Sequence, residues 1–198
     1  MNDAPFNALR NEVVACERCP LAETRTHAVF GEGPARTPVV LVGEAPGAKE
    51  DESGRPFVGL SGRLLSELLE EAGLPREKLF ITNTVKCRPP ENRLPSKAET
   101  AACRPFLAAQ LRHIRPRLVI TAGNAPTRAL LGTKEGITTL RGRLHTCVWE
   151  GMELSVLPLF HPSYLLRNRG RAEGSPIMLT LADIREALRL AREFTPGF

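Results

Sequence analysis

The chain has 198 residues, of which 42% are hydrophobic and 25% are charged, and this composition is typical of a soluble globular domain. It contains no apolar stretch near the roughly 20 residues that a membrane-spanning helix needs. Residues 1–5 also lack the basic and apolar regions of a signal peptide. We therefore expect a cytoplasmic, monomeric protein, built as one domain over residues 1–198 and without a membrane partner.

The formal net charge is +5, and Arg supplies most of the positive side chains. A basic balance of this size suits a partner with a phosphate backbone, although many basic proteins bind no nucleic acid. The single Gln, the 17 prolines and the abundant Arg also favour a thermophilic source. A GC-rich coding bias would produce a similar composition.

Four short apolar runs predict buried β-strands, at 39–43, 79–83, 118–122 and 154–160. Helical patterns separate most of them and predict helices at 60–72, from a capping box at 96–99 to about 113, at 126–131 and at 177–194. Strands that alternate with helices predict an α/β fold, with a central, mostly parallel four-stranded sheet covered on both faces. The segments 144–149 and 153–157 flank a turn and predict a local hairpin.

Polar side chains follow the ends of all four predicted strands. Glu44, Asn83, Asn124 and His161 occupy these positions. In open α/β sheets, ligands bind in the crevice beyond the carboxyl ends of the strands. Four successive strands that end in this way predict a single polar pocket.

Four of the five cysteines have the pattern of a metal site. Cys16 and Cys19 form a C-x2-C pair, which presents two thiolates from a tight turn, and Cys87 and Cys103 would complete a set of four. Zinc and an iron–sulfur cluster both accept four thiolates, and the absence of a second C-x2-C pair favours the cluster. Four unconnected buried cysteines are the alternative. Cys147 lies in a strand pattern and is interpreted as a core residue.

Two glycine-rich turns accompany the strand ends. Residues 43–47 read Gly-Glu-Ala-Pro-Gly, which lets the backbone approach a ligand closely, and residues 54–59 place Phe57 just before a helix. Each feature has a structural alternative: a tight strand-to-helix connection, a core phenylalanine, or satisfied structural polar groups at Asn83 and His161.

In this order, the residues closely resemble family 4 uracil-DNA glycosylases, the iron–sulfur branch of the uracil-DNA glycosylase superfamily. The similarity covers nearly the whole chain: Cys16 and Cys19, 43–47, 54–65, Asn83, Cys87 and Cys103, 123–124 and 161–163. The resemblance implies a three-layer α/β/α fold and excision of uracil from single- or double-stranded DNA. It also implies a [4Fe–4S] cluster on Cys16, Cys19, Cys87 and Cys103.

By the same resemblance, Phe57 stacks on uracil, and the backbone at Gly43, Glu44 and Ala45 contacts the ring. Asn83 reads the Watson–Crick edge, where its amide matches the O4 and N3–H of uracil and mismatches both positions of cytosine. His161 faces O2 and would stabilise the departing uracil anion.

Glu44 is assigned to the catalytic water, either to position it or to activate it. Classical uracil-DNA glycosylases carry an acidic water activator where this chain has Ala45. The neighbouring pair at 50–51 is acidic as well, and we interpret it as a solvated turn.

The DNA wedge is predicted just after His161, where residues 164–166 are expected to form an exposed apolar tip. Ser61 and Ser163 would bind phosphates, Arg167 would add charge, and Leu165, or failing that Leu166, would fill the gap left by the flipped base. The alternative is that these leucines begin a buried helical turn.

Two other functions fit part of the sequence. One is a relative that traps uracil-DNA covalently, but that branch has Gln at the position of Ala45 and a His-containing basic insertion that residues 86–97 lack. The other is a zinc-stabilised nucleic-acid-binding module without catalysis, which leaves Asn83 and His161 without a role.

Overall fold

The computed structural model describes residues 3–198, in which strands and helices alternate; Met1 and Asn2, part of the N-terminal segment considered above, lie outside the described residues. The strands are β1 Val39–Gly43, β2 Phe80–Asn83, β3 Leu118–Ala122, β4 His145–Trp149 and β5 Met152–Leu159. The helices are α1 Ala4–Val14, α2 Leu21–Thr24, α3 Ala48–Ser53, α4 Leu60–Glu71, α5 Lys97–Ile114, α6 Asn124–Leu131, α7 Ile137–Leu140, α8 Pro162–Arg167 and α9 Pro176–Phe194. In this part of the chain, no helix is long and apolar enough to cross a membrane.

The strands form one sheet in the order β2-β1-β3-β5-β4. Neighbouring strands are parallel except for β4, which runs antiparallel to β5 from the pair His145–Val156 to the pair Trp149–Met152. The mostly parallel α/β sheet is therefore confirmed, with five strands instead of the expected four. The predicted hairpin forms, and its first strand extends the sheet at the β5 edge. The alternating pattern of the hairpin does not reveal whether its outer strand joins a larger sheet.

Helices cover both faces of the sheet because successive side chains of each strand point to opposite sides. On one face, Val39 and Leu41 of β1 pack with residues of α4 and α9. On the other face, Val40 and Val42 pack with residues of α1 and α5. The layers are therefore helices, sheet and helices, which confirms the expected three-layer α/β/α fold.

Local capping fixes the start of the two helices that lead to the cysteines. The Ser96 hydroxyl accepts from the Glu99 amide at 3.1 Å, and the Glu99 carboxylate accepts from the Ser96 amide at 2.7 Å, so the predicted capping box begins α5. Helix α1 has no counterpart among the predicted helices, and it begins where the Asp3 carboxylate accepts from the Phe6 amide at 3.3 Å. Helix α1 ends two residues before Cys16.

The parallel strands bring the predicted polar residues to one edge of the sheet. Gly43 at the end of β1 lies in register with Asn83 at the end of β2. Gly123 follows β3, and His161 follows β5 by two residues. Because the chain passes from β1 to β2 on one side and later to β3 on the other, this edge contains a switch point of the kind where α/β folds bind ligands.

Candidate active site and cysteine site

A pocket opens at the carboxyl ends of β1, β2, β3 and β5. Its lining includes eight of the predicted site residues: Glu44, Ala45, Phe57, Ser61, Asn83, His161, Ser163 and Arg167. Gly43 lies beside it, and an added Cβ there would collide with Asn83 Oδ1 and come within 2.5 Å of the Phe57 ring. Only glycine therefore lets the end of β1 lie against these two side chains.

Asn83 has an unsatisfied hydrogen-bond acceptor. Its side chain is 2% exposed, and Oδ1 is the single buried side-chain nitrogen or oxygen between residues 3 and 198 that has no hydrogen-bond partner. Buried polar atoms are nearly always paired, because an unpaired one costs about 1–3 kcal/mol. An orphan acceptor in a pocket indicates a ligand with an N–H or O–H group at this position.

Phe57 forms an aromatic wall of the pocket, and two neighbours, Arg76 and Gly62, lie against its backbone. The residue is 7% exposed and has a φ of 52°, in the left-handed region. Arg76 donates to the carbonyls of Phe57 and Pro56, each at 3.1 Å. A Cβ on Gly62 would collide with the Phe57 backbone, so this close approach also requires glycine.

The interpretation of residues 50–51 as a solvated acidic turn is wrong, because the side chains of Glu50 and Asp51 are both buried. The Glu50 carboxylate accepts from the amides of Gly47, Val58 and Gly59 at 3.2, 2.8 and 2.7 Å. It thereby joins the 43–47 turn to the segment that carries the aromatic wall. Asp51 accepts from two backbone amides of the 26–27 segment, at 2.9 and 3.2 Å.

Glu44 presents a carboxylate to the pocket without a partner in the described part of the chain. Its carbonyl is held instead, by the Thr84 hydroxyl at 2.7 Å and the Val85 amide at 3.0 Å. Burial raises the pKa of the Glu44 carboxyl above its ordinary value. A raised pKa makes the carboxylate a stronger base than usual, which suits it to accept a proton.

The tautomer of His161 follows from its neighbours. The Ser163 amide donates to Nδ1 at 3.1 Å, so Nδ1 is an acceptor, and the ring proton of the neutral imidazole is on Nε2. The Ser163 hydroxyl lies 2.7 Å from the same nitrogen. Burial and the nearby charge of Arg167 lower the pKa of His161, which favours the neutral ring. Gly123 permits this placement, since a Cβ there would lie 2.8 Å from the His161 Cβ.

Cys16, Cys19, Cys87 and Cys103 line one small cavity next to α1 and α5. Among residues 3–198, no three His, Cys, Asp or Glu side chains are close enough to hold one metal ion. Four cysteines around one cavity form a donor set that zinc and an iron–sulfur cluster both accept. Cys147 lies on β4, outside this cavity, and packs at the margin of the core.

Cations and N–H donors surround the cysteine cavity. Arg25 donates to the Cys87 sulfur at 3.2 Å, and the Lys86 amide donates to the Cys103 sulfur at 3.2 Å. Burial raises the pKa of Cys87, and it raises that of Cys103 to about 11. Burial also lowers the pKa of Lys86 to about 8, against the opposing effect of the two cysteines. Thiolates and cations in this setting stabilise each other, and the donor set matches an anionic metal–sulfur group.

The comparisons with known proteins agree with this geometry. Residues 30–189 match the family model of the Uracil DNA glycosylase superfamily. The chain belongs to the uracil-DNA glycosylase superfamily. It is 49% identical to the type-4 uracil-DNA glycosylase of Thermotoga maritima over 158 residues, which cover 79% of this chain and 81% of that protein. It is 41% identical to the type-4 uracil-DNA glycosylase of Sulfurisphaera tokodaii over 165 residues, covering 81% and 75% of the two chains. A type-5 uracil-DNA glycosylase of Pyrobaculum aerophilum is 31% identical over 212 residues, covering 91% and 89%.

The prediction that Leu165 is an exposed wedge is wrong. Leu165 is 0% exposed and belongs to the hydrophobic core that includes α4. Helix α8 packs against α4, which turns this side chain inwards, as the alternative of a buried helical turn anticipated. Leu166 is half-buried, and the exposed aromatic residue of this helix is Tyr164, which packs on Phe160 at 5.1 Å between ring centroids.

The sequence does not reveal an exposed apolar side chain at the rim of the pocket. Leu94 is 73% exposed and lines the pocket. Its loop is braced by Arg93, which donates to the Glu99 carboxylate at 2.6 and 2.8 Å and to the Leu94 carbonyl at 3.0 Å. The signal in the sequence is a lone apolar residue inside a polar, proline-rich loop. Arg128 also lines this rim.

Proposed function

We propose that the protein is a uracil-DNA glycosylase, which removes uracil from DNA and so begins base excision repair. The observation that carries the proposal is the orphan Asn83 Oδ1, buried beside the Phe57 ring in a pocket at the strand ends. A flat base with an N–H donor satisfies this acceptor and fills the space along the aromatic wall. The names of the type-4 relatives point to the same substrate.

Asn83 distinguishes uracil from cytosine by the pattern of donors and acceptors. Its Oδ1 accepts from the uracil N3–H while its amide NH2 donates to O4. Cytosine has no hydrogen at N3 and presents an amino donor in place of O4, so both contacts fail. Because failed contacts leave buried polar groups unpaired, cytosine binds much more weakly.

His161 stabilises the leaving group. The bond between uracil N1 and the sugar C1′ breaks with its electron pair moving to the base, which leaves an anionic uracil and a cationic sugar. The Nε2–H of His161 donates to O2, where the negative charge develops, as an oxyanion-hole donor does. The Ser163 amide at 3.1 Å keeps the ring in the required tautomer.

Glu44 holds the attacking water. The water oxygen bonds to C1′ of the cationic sugar, and its proton passes to the Glu44 carboxylate. The raised pKa of this carboxyl suits the transfer. The backbone at Gly43 and Ala45 positions the base beside it.

The DNA must present the base outside the helix, because the glycosidic bond is inaccessible in a stacked duplex. Arg167 and Arg128 lie on the pocket rim with Ser61, where they bind the phosphates of the flipped strand. Leu94, exposed on the same rim, takes the wedge role that was expected of Leu165.

The four cysteines hold a [4Fe–4S] cluster. Cys16, Cys19, Cys87 and Cys103 supply the thiolates, with N–H donors to the sulfurs from Arg25 and from the backbone. When bound, the cluster supplies metal–thiolate bonds that tie the N-terminal segment to β2 and α5.

Release of free uracil from a labelled oligonucleotide tests the proposal. We expect uracil and an alkali-labile abasic site from an oligonucleotide with one uracil, and no product from matched oligonucleotides with cytosine or thymine. A covalent protein–DNA adduct without free uracil would support the trapping alternative. DNA binding with no product and one bound zinc would support the non-catalytic module.

A further inference from the structure

Lys86 is a buried cation that has no acidic partner in the described part of the chain. The residue is 1% exposed, and its ammonium donates to the Thr82 hydroxyl at 2.7 Å, the Asn83 carbonyl at 2.7 Å and the Gln110 side-chain oxygen at 2.6 Å. All three acceptors are neutral. None of the ion pairs within residues 3–198 includes Lys86.

The surrounding acceptors are fixed in place for this cation. Gln110 donates through its NH2 to the Phe30 carbonyl at 2.7 Å, which leaves its oxygen facing Lys86. The Thr82 hydroxyl donates to the same carbonyl at 2.9 Å, so its lone pairs remain for the ammonium. This network positions the charge but does not neutralise it, and a buried charge without a counter-ion is strongly disfavoured.

The cysteine site adjoins Lys86 and can supply negative charge. The Lys86 amide donates to the Cys103 sulfur at 3.2 Å, and Cys87 is the next residue in the chain. Both cysteines line the cavity that Lys86 also lines. Four thiolates outweigh the positive charge of an iron–sulfur core, so a bound cluster provides the counter-ion that the protein itself lacks.

The same ammonium holds the residue that reads the base. Asn83 Oδ1 has no protein partner, so the position of this side chain depends on its backbone, whose carbonyl accepts from Lys86. We propose that Lys86 is a positioning residue that couples the cluster to the uracil pocket: the charge of the cluster holds the ammonium, and the ammonium holds Asn83. This inference rests on the proposed function.

Coupling between two sites is reciprocal, so a ligand on Asn83 must also stabilise the cluster. The segment 83–87 joins Asn83 to Cys87, so a base that holds Asn83 in place also favours the arrangement of Lys86 and Cys87 at the cluster. The effect must depend on Lys86 if the ammonium is the link. It can be followed in the cluster-loaded protein, without measuring catalysis.

The experiment records the visible absorbance of the cluster while an excess of iron chelator removes it. Cluster loss is compared for protein bound to an oligonucleotide with 2′-fluoro-2′-deoxyuridine and for protein bound to one with 2′-fluoro-2′-deoxycytidine. The fluorine prevents cleavage, and both oligonucleotides present the same phosphates to the protein. In the wild-type protein we expect the uracil oligonucleotide to slow cluster loss about fivefold or more relative to the cytosine oligonucleotide. Lys86→Met should bring this ratio close to one, while Lys134→Met, on the exposed surface, should leave it unchanged.

An unchanged ratio in Lys86→Met would overturn the coupling. If Lys86→Met does not take up a cluster, the same measurement is made on Thr82→Val. This variant keeps the shape of the side chain and removes one acceptor of the Lys86 ammonium. We expect it to lower the ratio at least about twofold, and an unchanged ratio would again overturn the proposal. A wild-type protein that releases no uracil from a cleavable oligonucleotide would contradict the proposed function instead.

Discussion

At the residue scale, the fold prepares Asn83 and His161 in different ways. Asn83 keeps a buried acceptor without a partner, so it is ready to bind a donor of the substrate. His161 has its Nδ1 occupied by the Ser163 amide, so only the Nε2–H remains for a ligand. One residue therefore selects the base, and the other stabilises the charge that appears when the base leaves.

His161→Ala should lower single-turnover excision of uracil by about a hundredfold or more, the scale for losing one oxyanion donor. Affinity for uracil-containing DNA should change far less, because phosphate contacts supply most of it. Rapid-quench excision and equilibrium binding to an uncleavable oligonucleotide measure the two quantities. His145→Ala is the matched control, since its ring contacts the Leu140 carbonyl outside the pocket. Equal losses in rate and binding would make His161 a structural brace only.

The acid side of the pH–rate profile should follow Glu44. Burial raises the pKa of this carboxyl above the ordinary value of 4.5, and its carboxylate form is the one that accepts the water proton. Excision should therefore fall as pH decreases, with a midpoint above 4.5. Protonation of His161 leaves its Nε2–H in place and so does not remove the donor to O2.

Glu44→Gln should abolish this acid limb and lower the plateau about a hundredfold or more. Glu70→Gln, on the exposed face of α4, serves as the charge control. A Glu44→Gln profile with the wild-type midpoint would remove Glu44 from the reaction.

At the scale of elements, an exposed loop at the pocket and the inward side of α8 give two leucines different roles. Leu94→Ala should lower excision from duplex DNA about tenfold and leave excision from single strands nearly unchanged, because only a duplex must be opened. Leu165→Ala should instead lower the free energy of unfolding by about 2–5 kcal/mol, the usual cost of emptying a core site.

Parallel excision assays on both substrates, with denaturant unfolding of each variant, measure these effects. Leu144→Ala provides an exposed leucine outside the pocket as a control. Equal losses of Leu94→Ala on both substrates would contradict the wedge role.

The sequence predicted the strand ends better than it predicted the rim. Asn83 and His161 could be placed in one pocket because the ends of parallel strands share an edge of the sheet. Leu165 could not be placed correctly, since hydrophobicity alone does not determine which side of a short helix faces the core. Glu50 was misread because its three amide partners come from a turn and a loop that only the tertiary fold brings together.

At the scale of the whole molecule, the cysteine site joins distant parts of the chain. Cys16 and Cys19 follow α1, Cys87 follows β2, and Cys103 lies within the first turns of α5. The spacing of the cysteines predicted a four-thiolate site, but it could not predict that Lys86 would be buried between this site and the pocket. A lysine is rarely buried, so sequence reasoning places it on the surface by default.

Protein purified without exposure to air should contain iron and acid-labile sulfide, which chemical analysis and the visible spectrum measure. Cys87→Ala should lose the iron and lower thermal stability, because the N-terminal segment is no longer tied to the sheet. Cys147 lies outside the cavity, so the Cys147→Ala variant should retain the iron. Colourless wild-type protein with one zinc per chain would contradict the cluster.

The most direct test of the central claim, that Asn83 reads uracil, is the ratio of uracil to cytosine excision in variants of this residue. Single-turnover rates on oligonucleotides that differ only in the target base give this ratio. Asn83→Ala should lower uracil excision about a hundredfold or more, and Asn83→Asp should also reduce the preference for uracil, because its carboxylate can accept from the cytosine amino group. Near-normal uracil excision and discrimination in Asn83→Ala would contradict the account.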